Sequence, residues 1–362
     1  MKVLWIGNPL DGTGWSQACI NYVLALDSVG VDIVLRSLKL NNKTVRVPKR
    51  IQELLSKDSK GCDICVQQVL PHMMEYNGKF KKNIGLFFSE MSNFNSGIWS
   101  EKLNMMDEIW CPSNSCINCC ANSRVTSPSL KLIYHPHDIS KYAMSYEKFS
   151  FGNGFKFYFI GEFNRRKNIS ALIKAFNIAF DKSDDVELIL KTNVDGDTFN
   201  KFSTEIKTGL RLYDSLNKYK QEILINNELS DEEIMRLHAS CDCFVMPSYG
   251  EGWNIPAFDA MAMGKTPIVT HRTGMDEFID STTGFFVEST EDISFGMMDS
   301  LPLLHTANEN CSHISISNLA KTMRFVYENP EIREQVSWNG MDNAINFSYK
   351  AIGNKIKKIL ED

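Results

Sequence analysis

Residues 243–270 read CFVMPSYGEGWNIPAFDAMAMGKTPIVT and contain two short apolar runs separated by a loop and a helix. The first run, Cys243 to Met246, is typical of a buried strand and leads into a loop that holds Glu251 between two glycines. We expect the helix to begin near Pro256, because proline is favoured in the first helical turn. The second run, Pro267 to Thr270, follows that helix. A strand–helix–strand unit of this kind places its strands parallel in one sheet, which predicts an α/β fold.

The same alternation of strand and helix extends over the rest of the chain and predicts two parallel sheets. The predicted strands of the first half are Lys2–Ile6, Val31–Leu35, Ile64–Val69, Asn83–Phe88, Glu108–Cys111 and Leu132–His135. Those of the second half are Phe155–Gly161, Val186–Lys191, Ile223–Ile225, Cys243–Met246, Pro267–Thr270 and Gly284–Val287. Residues 141–154 show no period and predict a linker. We therefore expect two Rossmann-like, doubly wound domains, 1–150 and 151–342, that face each other across a ligand-binding cleft at the carboxyl ends of their strands.

The composition is that of an ordinary globular protein. The chain has 362 residues, 43 % of them hydrophobic and 23 % charged, and a formal net charge of −5. Proteins that bind duplex nucleic acid usually carry a strong basic excess, so this charge argues against them as a class. No apolar run is long enough to cross a bilayer, and the first residues do not resemble a signal peptide. We therefore expect a cytoplasmic protein.

Ten cysteines occur in the chain, and two pairs of them have Cys-x-x-Cys spacing. Cys62 and Cys65 lie at or in a predicted strand, where residues three apart point to opposite faces. Cys116 and Cys119 lie on a predicted helix. Structural zinc sites instead bring two such pairs together on turns. The cysteines are therefore expected to be buried, reduced thiols, as is usual in a cytoplasm-like compartment.

Two carboxylates frame the motif within residues 243–270. Glu251 lies in the loop and Asp259 lies eight positions later, inside the helix, so both side chains can reach one cleft. An ionised carboxylate only accepts hydrogen bonds, which suits the hydroxyl groups of a sugar or a ribose. The free N–H groups at the start of the helix suit a phosphate. The spacing alone would also fit a solvated loop acid followed by an ordinary helix acid.

Three consecutive cations follow the first strand of the second half. Arg165, Arg166 and Lys167 lie at a predicted strand-to-helix turn, in the sequence Gly161-Glu162-Phe163-Asn164-Arg165-Arg166-Lys167. Guanidinium and ammonium groups both stabilise phosphate charge, so the turn suits a diphosphate. A solvated basic helix start is the plainer alternative, although the helix dipole disfavours cations there.

The carboxylate motif resembles that of the large group of retaining glycosyltransferases commonly called family 4, whose fold is called GT-B. The family pattern is approximately Glu-Gly-Phe-Gly-x-Pro-x-x-Glu-Ala-Met-Ala-x-Gly. The matching residues are Glu251, Gly252, Pro256, Ala260, Met261, Ala262 and Gly264. The resemblance implies that Glu251 contacts the transferred sugar, that Asp259 binds the ribose and that Lys167 holds the diphosphate. It also implies donor contacts from Gly252, Trp253, Asn254 and Ile255.

This chain departs from the family pattern at two positions. Asp259 replaces the usual Glu, and Glu162 stands where the family has the Arg that accompanies the lysine. The role of that Arg is therefore assigned to Arg165 or Arg166. The final helix, 343–362, resembles the terminal helix with which the family packs back onto the first domain.

The first domain is expected to hold the acceptor side of the site. Gly12 and Gly14, in the turn after the first strand, would let the backbone approach the donor phosphate. His72 follows a strand that ends at the cleft, where many family members have a histidine near the transferred sugar. Glu90 resembles the Glu of a family subgroup that continues into the pattern seen here at 103–113, and it would orient the acceptor.

The resemblance thus predicts a hexosyl- or pentosyltransferase that uses a nucleotide sugar such as a UDP- or GDP-sugar and retains the anomeric configuration. No cofactor is expected, and no metal, because no Asp-x-Asp motif is present and cations can take over the role of the metal. The acceptor stays open between a glycan, a lipid, a small molecule, a protein and a modified DNA base. Basic stretches at 43–50 and 79–82 keep DNA and peripheral membrane attachment open. A nucleotide-sugar epimerase and a non-catalytic nucleotide-sugar binding protein are the remaining alternatives.

Overall fold

A computed structural model describes residues 1–39, 44–95, 97–210, 219–295, 306 and 308–361. Contacts divide the chain into two compact units. The first consists of the described residues of 1–141 and 345–361, with a short stretch around Glu309. The second consists of those of 142–295 and 310–344. One division falls near 150/151 and the other near 342/343, where the sequence predicts the domain bounds. The domain bounds themselves stay a prediction.

The first unit is a parallel sheet with helices packed against it. Its elements, in chain order, are β1 (Lys2–Gly7), α1 (Gly14–Ser28), β2 (Asp32–Ser37), α2 (Lys49–Ser56), β3 (Ile64–Gln67), β4 (Lys82–Leu86), α3 (Gly97–Asn104), β5 (Glu108–Cys111), α4 (Asn114–Asn122) and β6 (Ser129–Leu132). The described strands lie in the order β2-β1-β3-β4-β5-β6. Buried apolar side chains such as Trp5, Tyr22 and Trp110 fill the space between sheet and helices, which stabilises the layers.

The second unit repeats the architecture. Its elements are β7 (Phe155–Ile160), α5 (Ile169–Ala179), β8 (Val186–Lys191), α6 (Gly196–Gly209), β9 (Ile223–Ile225), α7 (Asp231–Ser240), β10 (Cys243–Met246), α8 (Ile255–Ala262), β11 (Thr266–Thr270), β12 (Phe285–Val287), β13 (Ser289–Ile293), β14 (Asn310–Ile314), α9 (Ile316–Glu328) and α10 (Pro330–Asn343). The sheet order is β12-β11-β10-β7-β8-β9, and β13 pairs with β14 as an antiparallel hairpin. Two doubly wound parallel sheets confirm the α/β fold class predicted from the sequence.

Several strands have the predicted bounds, and two predictions need correction. The strands at 108–111, 186–191, 223–225 and 243–246 match residue for residue. The strand predicted at 132–135 instead spans Ser129–Leu132. Its position is set by its pairing with the four residues of β5. That pairing runs from Glu108 opposite Ser129 to Cys111 opposite Leu132. The β13–β14 hairpin was not predicted, because a polar stretch such as Ser-Thr-Glu-Asp shows no alternation of apolar residues.

The last helix, α11 (Tyr349–Glu361), packs on α1 within the first unit. The Tyr349 hydroxyl donates to the side chain of Asn21 over 2.7 Å. Close packing is possible because residue 353 is glycine: a Cβ atom there would lie 2.4 Å from the carbonyl oxygen of Ala25. That distance is too short for any side chain, so Gly353 sets the approach of the two helices.

The cysteines are buried thiols, as expected. All ten are free, and only Cys62 is more than slightly exposed. Burial raises the pKa of Cys116 to about 12, so its thiol stays protonated and unreactive at neutral pH. Within the described ranges, no group of three or more His, Cys, Asp and Glu side chains is arranged to hold a metal ion.

We predict that Gly353→Ala destabilises the protein, because the added methyl group meets backbone that cannot move without shifting α1. Overpacking of this kind costs about 1–3 kcal/mol, more than the gain of about 1 kcal/mol in helix propensity. Gly196→Ala is the matched control, since a Cβ atom at this first residue of α6 meets nothing within 4 Å. Urea unfolding followed by circular dichroism measures both. Equal stability of the two variants would contradict the packing argument.

Candidate active site

Three loops of the second unit meet at one edge of its sheet. They follow β7, β10 and β11 and hold residues 161–168, 247–254 and 271–273. These strands are neighbours and parallel, so the loops after their carboxyl ends lie side by side. This edge is where open α/β sheets bind ligands.

Backbone contacts hold the three loops together. The N–H of Tyr249 donates to the carbonyl of Arg166 over 2.9 Å, and the N–H of Gly274 donates to the carbonyl of Glu251 over 2.8 Å. A Cβ atom at Gly274 would lie only 2.1 Å from the carbonyl oxygen of Gly252. Glycine is therefore required at 274, and the turn after β11 supports the loop that carries Glu251.

Glu251 is the centre of a buried ionic cluster. Its Oε1 atom accepts a hydrogen bond from Nζ of Lys167 over 2.7 Å and lies 3.0 Å from a guanidinium nitrogen of Arg166. The same nitrogen donates to the carbonyl of Gly250 over 2.7 Å. The Glu251 side chain is 6 % exposed, and those of Arg166 and Lys167 are 15 % and 12 % exposed. The sequence-predicted acid and two of its predicted cations are thus brought into direct contact.

The charges of this cluster keep Glu251 ionised. Burial by itself would raise the pKa of the carboxyl, but the charges of Arg166 and Lys167 outweigh it and hold the pKa below its ordinary value. Two cations around one carboxylate leave a net positive charge. The cluster can therefore still attract an anion.

Arg165 is more exposed than Arg166 and Lys167. Residues 165–167 form a 3₁₀ turn, in which successive side chains point about 120° apart. The exposed Arg165 instead lines a cavity of about 540 Å³ that is largely walled by aromatic rings. The aromatic lining residues are Phe163, Phe202, Tyr249 and Phe295. Arg165 and Arg166 were the two candidates for the role of the missing family Arg, and Arg166 reaches the carboxylate of Glu251. Glu162 is exposed and accepts a hydrogen bond from the side chain of Asn164.

Helix α8 begins at the same edge with an unusual cap. Asn254, which stands where the family motif has glycine, has a φ of 82° and accepts a hydrogen bond from the N–H of Ala257. Asparagine tolerates this left-handed region better than most residues. Its Nδ2 atom is buried and has no partner in the described structure. Ile255, the first residue of the helix, is half-buried. The cap thus offers a side-chain donor beside the first helical N–H groups.

Trp253 and Asp259 point into the protein. The Trp253 indole is 3 % exposed and packs on the rings of Phe258 and Phe278, so it belongs to the core of the second unit. Asp259 is 4 % exposed and accepts a hydrogen bond from the hydroxyl of Tyr142. Sequence reasoning missed Tyr142, because a contact across 117 residues leaves no local signal.

Ser248 was also missed. Its hydroxyl is fully buried and has no partner among the described residues. The position, three residues before Glu251 in a loop that follows a strand, was the available signal. A hydroxyl at this depth can either donate to a ligand or accept from it.

The predicted residues of the first unit lie at the carboxyl ends of β1, β3 and β4, which are neighbours in its sheet. Gly12 has a φ of 73°, and Gly14 opens α1 with no atom within 4 Å of an added Cβ. His72 lies in a 3₁₀ turn after β3, and its Nδ1 atom is buried without a partner in the part of the chain that is described. Glu90 follows β4 and is half-buried.

Acids partly neutralise the basic stretches of the first unit. Lys43 lies outside the described residues. Three of the described basic residues form ion pairs with N–O distances of 2.8, 3.0 and 3.0 Å, namely Arg50–Asp27, Lys81–Asp63 and Lys82–Glu108. Paired cations contribute less to binding phosphate, which weakens the case for nucleic acid at these stretches. None of the described helices combines the length and the apolar character that crossing a membrane requires.

We predict that Glu251→Gln lowers the free energy of unfolding at pH 7 by about 3 kcal/mol, since it leaves two buried cations without their carboxylate. A carboxyl whose folded pKa is depressed stabilises the fold above its unfolded pKa, about 4.3, and loses that effect as the pH falls through the folded value. The difference from the wild type should therefore shrink below about pH 4. Urea unfolding at pH 7, 5 and 3.5 measures it, with the exposed Glu162→Gln as control. A pH-independent difference would contradict the ionic contact.

Comparison with known families agrees with this site. Residues 145–297, which contain the ionic cluster, match the model of the family "Glycosyl transferases group 1". Over 115 residues, or 32 % of the chain, the sequence is 27 % identical to the serotype-specific mannosyltransferase WbdA of Escherichia coli. The match spans 13 % of the length of that relative.

Solved structures share the fold over the whole length. Sucrose-phosphate synthase from Thermosynechococcus elongatus aligns with a TM-score of 0.69 at 14 % identity, covering 100 % of this chain and 98 % of that one. HepE of Anabaena, in complex with UDP-glucose, aligns with a TM-score of 0.65 at 15 % identity, covering 100 % and 99 %. These likenesses concern the fold. Residues 145–297 thus match the family of group 1 glycosyltransferases, and the fold is that of the GT-B glycosyltransferases.

Proposed function

We propose that the protein moves a hexosyl or pentosyl group from a nucleoside-diphosphate sugar to a hydroxyl group of an acceptor, with retention of the anomeric configuration. The observation that carries the proposal is the contact of Arg166 and Lys167 with Glu251 beside the first turn of α8. It combines a positive site for a diphosphate with a carboxylate for hydroxyl groups at the edge of one sheet. The family of residues 145–297 supports the same chemistry.

In the proposed reaction the acceptor oxygen forms a bond to the anomeric carbon and its proton passes to water, while the bond from that carbon to the diphosphate breaks. The nucleoside diphosphate leaves with an additional negative charge. Lys167 and Arg166 would stabilise that charge, because cations already in position need no reorganisation during the reaction. Glu251 would accept hydrogen bonds from hydroxyl groups of the transferred sugar.

The start of α8 would complete the diphosphate site. The partnerless Nδ2 atom of Asn254 is a donor, and phosphate oxygens are acceptors. The first N–H groups of the helix, from Ile255 on, carry partial positive charge that favours an anion. Gly252 would contact the donor through its backbone, and the hydroxyl of Ser248 would donate a further hydrogen bond. Lys167 and the helix start would thus hold the diphosphate from two directions.

Asp259 would bind the ribose hydroxyls in this proposal. The Tyr142 hydroxyl already donates to it, so a ribose would share the carboxylate with Tyr142. In the first unit, Gly12 and Gly14 would face the donor phosphate, while His72 and Glu90 would face the reacting sugar and the acceptor. No cofactor or metal is included, because the cations provide the charge stabilisation.

The named ligands of similar structures guide the choice of donor. HepE was solved with UDP-glucose, and the structure described as trehalose-6-phosphate from E. coli was solved with UDP-2-fluoro glucose. The WbdA relatives are mannosyltransferases by name. We therefore propose a UDP- or GDP-sugar as donor, and a panel of UDP-, GDP-, ADP- and dTDP-sugars tests it.

We predict that Lys167→Ala lowers kcat/KM for the donor at least about 100-fold, the usual loss when one group that stabilises developing charge is removed. Arg166→Ala should have a similar effect, and Arg165→Ala a much smaller one, because Arg165 is exposed whereas Arg166 contacts Glu251 directly. The exposed Lys182→Ala is the control. Nucleotide release gives the rates, and circular dichroism checks the fold. Equal losses for Arg165→Ala and Arg166→Ala would contradict the assignment of the diphosphate site.

The donor panel also separates the alternatives. Stabilisation by one donor, with nucleotide release that an acceptor accelerates, is expected for a transferase. An epimerase would convert the donor without any acceptor. A binding protein would be stabilised by a donor without turnover. Stabilisation by none of the donors would contradict the proposal.

We further predict that the product keeps the anomeric configuration of the donor. Proton NMR of the reaction, recorded before the sugar can equilibrate, distinguishes the two anomers by the coupling constant of the anomeric proton. An inverted product would leave the transfer reaction standing but would remove retention from the proposal.

A further inference from the structure

The cavity of about 540 Å³ in the second unit combines aromatic rings with positive charge. The described residues that line it include four aromatic side chains and one charged side chain, that of Arg165. We propose that this cavity is a second ligand site, separate from the donor site, and that it binds a small molecule in which a flat apolar ring system carries an anionic group. The inference goes beyond the transfer reaction proposed above and does not depend on it.

The helices that line the cavity lie on the face of the sheet opposite α8. Ile169 begins α5 and Phe202 lies on α6, and both line the cavity. In the sheet order, the connections through α5 and α6 run in one direction and the connection through α8 runs in the other. Right-handed crossovers therefore place α5 and α6 on one face and α8 on the opposite face. The packing agrees, since α5 contacts α6 and α9 whereas α8 contacts α7 and α10. The cavity is thus on the other face from Asp259, the α8 residue proposed to bind the ribose.

Contacts outside the cavity hold its aromatic rings in place. Phe163 and Phe202 pack edge to face, with 5.0 Å between ring centroids. The Tyr249 ring packs on the ring of His313, with 5.1 Å between centroids, and the Tyr249 carbonyl accepts from the N–H of Ser312 over 2.8 Å. The β13–β14 hairpin therefore fixes Tyr249. Rings that are already in position lose little freedom when a ligand binds, which favours affinity.

The size and exposure of the rings favour a flat apolar ligand. Phe163, Phe202 and Tyr249 are each half-buried, so part of every ring is open to solvent. Covering such surface is favourable, and aromatic ligands gain further from edge-to-face and offset contacts with rings. The volume lies within the range of about 300–1,000 Å³ that is usual for pockets that bind small molecules.

The charge of the lining restricts the ligand to anions. No carboxylate is among the described residues that line the cavity, whereas the guanidinium of Arg165 is. Ile169 and Ser170, the first residues of α5, also line it, and the N–H groups of a first helical turn carry partial positive charge. The side chain of Asn168 does not cap this helix but donates to the carbonyl of Pro247 over 3.1 Å. A guanidinium and a helix start together suit a carboxylate, a sulfonate or a phosphate, and they repel a cation.

The first experiment tests the charge with a matched pair of fluorescent probes. Anilinonaphthalene sulfonate has flat rings and an anionic group, and phenylnaphthylamine has the same rings without that group. We expect Arg165→Gln to raise the Kd of the sulfonate about tenfold, the usual loss of one hydrogen bond to a charged group, and to change the Kd of the amine less than about twofold. Arg46→Gln is the matched control, because Arg46 is an exposed arginine of the first unit. If Arg165→Gln changes both Kd values equally, or if the wild type does not bind the sulfonate saturably, the inference is wrong.

The second experiment tests the aromatic rings with Phe202→Leu, which keeps an apolar side chain. We expect the Kd of both probes to rise about three- to tenfold, since contacts between aromatic rings contribute beyond the area that they bury. Phe325→Leu is the matched control, because Phe325 is 42 % exposed on α9 and does not line the cavity. Circular dichroism checks the fold of each variant. Equal effects of the two substitutions would place the probes elsewhere and overturn the inference.

The third experiment separates the cavity from the donor site. We expect Lys167→Ala, which removes a cation that does not line the cavity, to leave the Kd of the sulfonate unchanged. UDP-glucose and GDP-mannose should not compete with the probe, and competitive displacement by either would place the probe in the donor site and overturn the inference. Failure of every donor to bind, with the sulfonate still bound, would instead contradict the proposed function alone.

Competition with simpler anions identifies the class of the ligand. Phenyl phosphate and indole acetate each carry an anionic group on an aromatic ring, one as a phosphate and the other as a carboxylate. Displacement of the sulfonate by one of them supports the inference and shows which anion the site prefers. If neither displaces the probe at millimolar concentration, the cavity binds the dye only and the inference is wrong.

Discussion

The buried contact of Glu251 with Arg166 and Lys167 is the interaction on which the site depends. It joins the loop after β10 to the loop after β7, so the acid and the cations hold each other in place. Without those charges burial would raise the pKa of the Glu251 carboxyl, and without the carboxylate the two cations would repel each other. One arrangement therefore serves both the fold, by pairing buried charges, and the proposed chemistry, by keeping positive charge at the sheet edge.

Backbone geometry supplies the rest of the support. Gly274 brings the turn after β11 against the carbonyl groups of Glu251 and Gly252, where no other residue fits. Asn168 and Asn254 both adopt left-handed conformations at helix starts, with φ of 55° and 82°. Such positions are costly for most residues and persist where the surrounding contacts determine them. The loops are thus rigid where they hold charges, which is what electrostatic stabilisation of a leaving group requires.

The two units share one feature at the carboxyl edges of their sheets: buried polar atoms without partners in the described chain. In the second unit these include Ser248 and Asn254, and in the first unit they include Trp15 and Gln68. Leaving a buried polar atom unpaired lowers stability, so the atoms at these two edges are candidates for contacts with a ligand.

Local sequence patterns alone predicted much of the fold. Apolar runs and helix starts identified the strands of both parallel sheets, because period and turn residues are local properties of the chain. The dense motif around Glu251 and Asp259 indicated the family that residues 145–297 match, and the cationic turn indicated Lys167 as a candidate for binding the diphosphate. Side-chain direction and distant partners were beyond such reasoning. Only the folded structure shows that Arg166, and not merely one of two arginines, contacts Glu251, and that the Trp253 indole lies in the core. It also pairs Asp259 with Tyr142 and leaves buried atoms of Gln68 and Ser248 without a partner among the described residues. Each of these outcomes depends on contacts between segments that are far apart in the sequence.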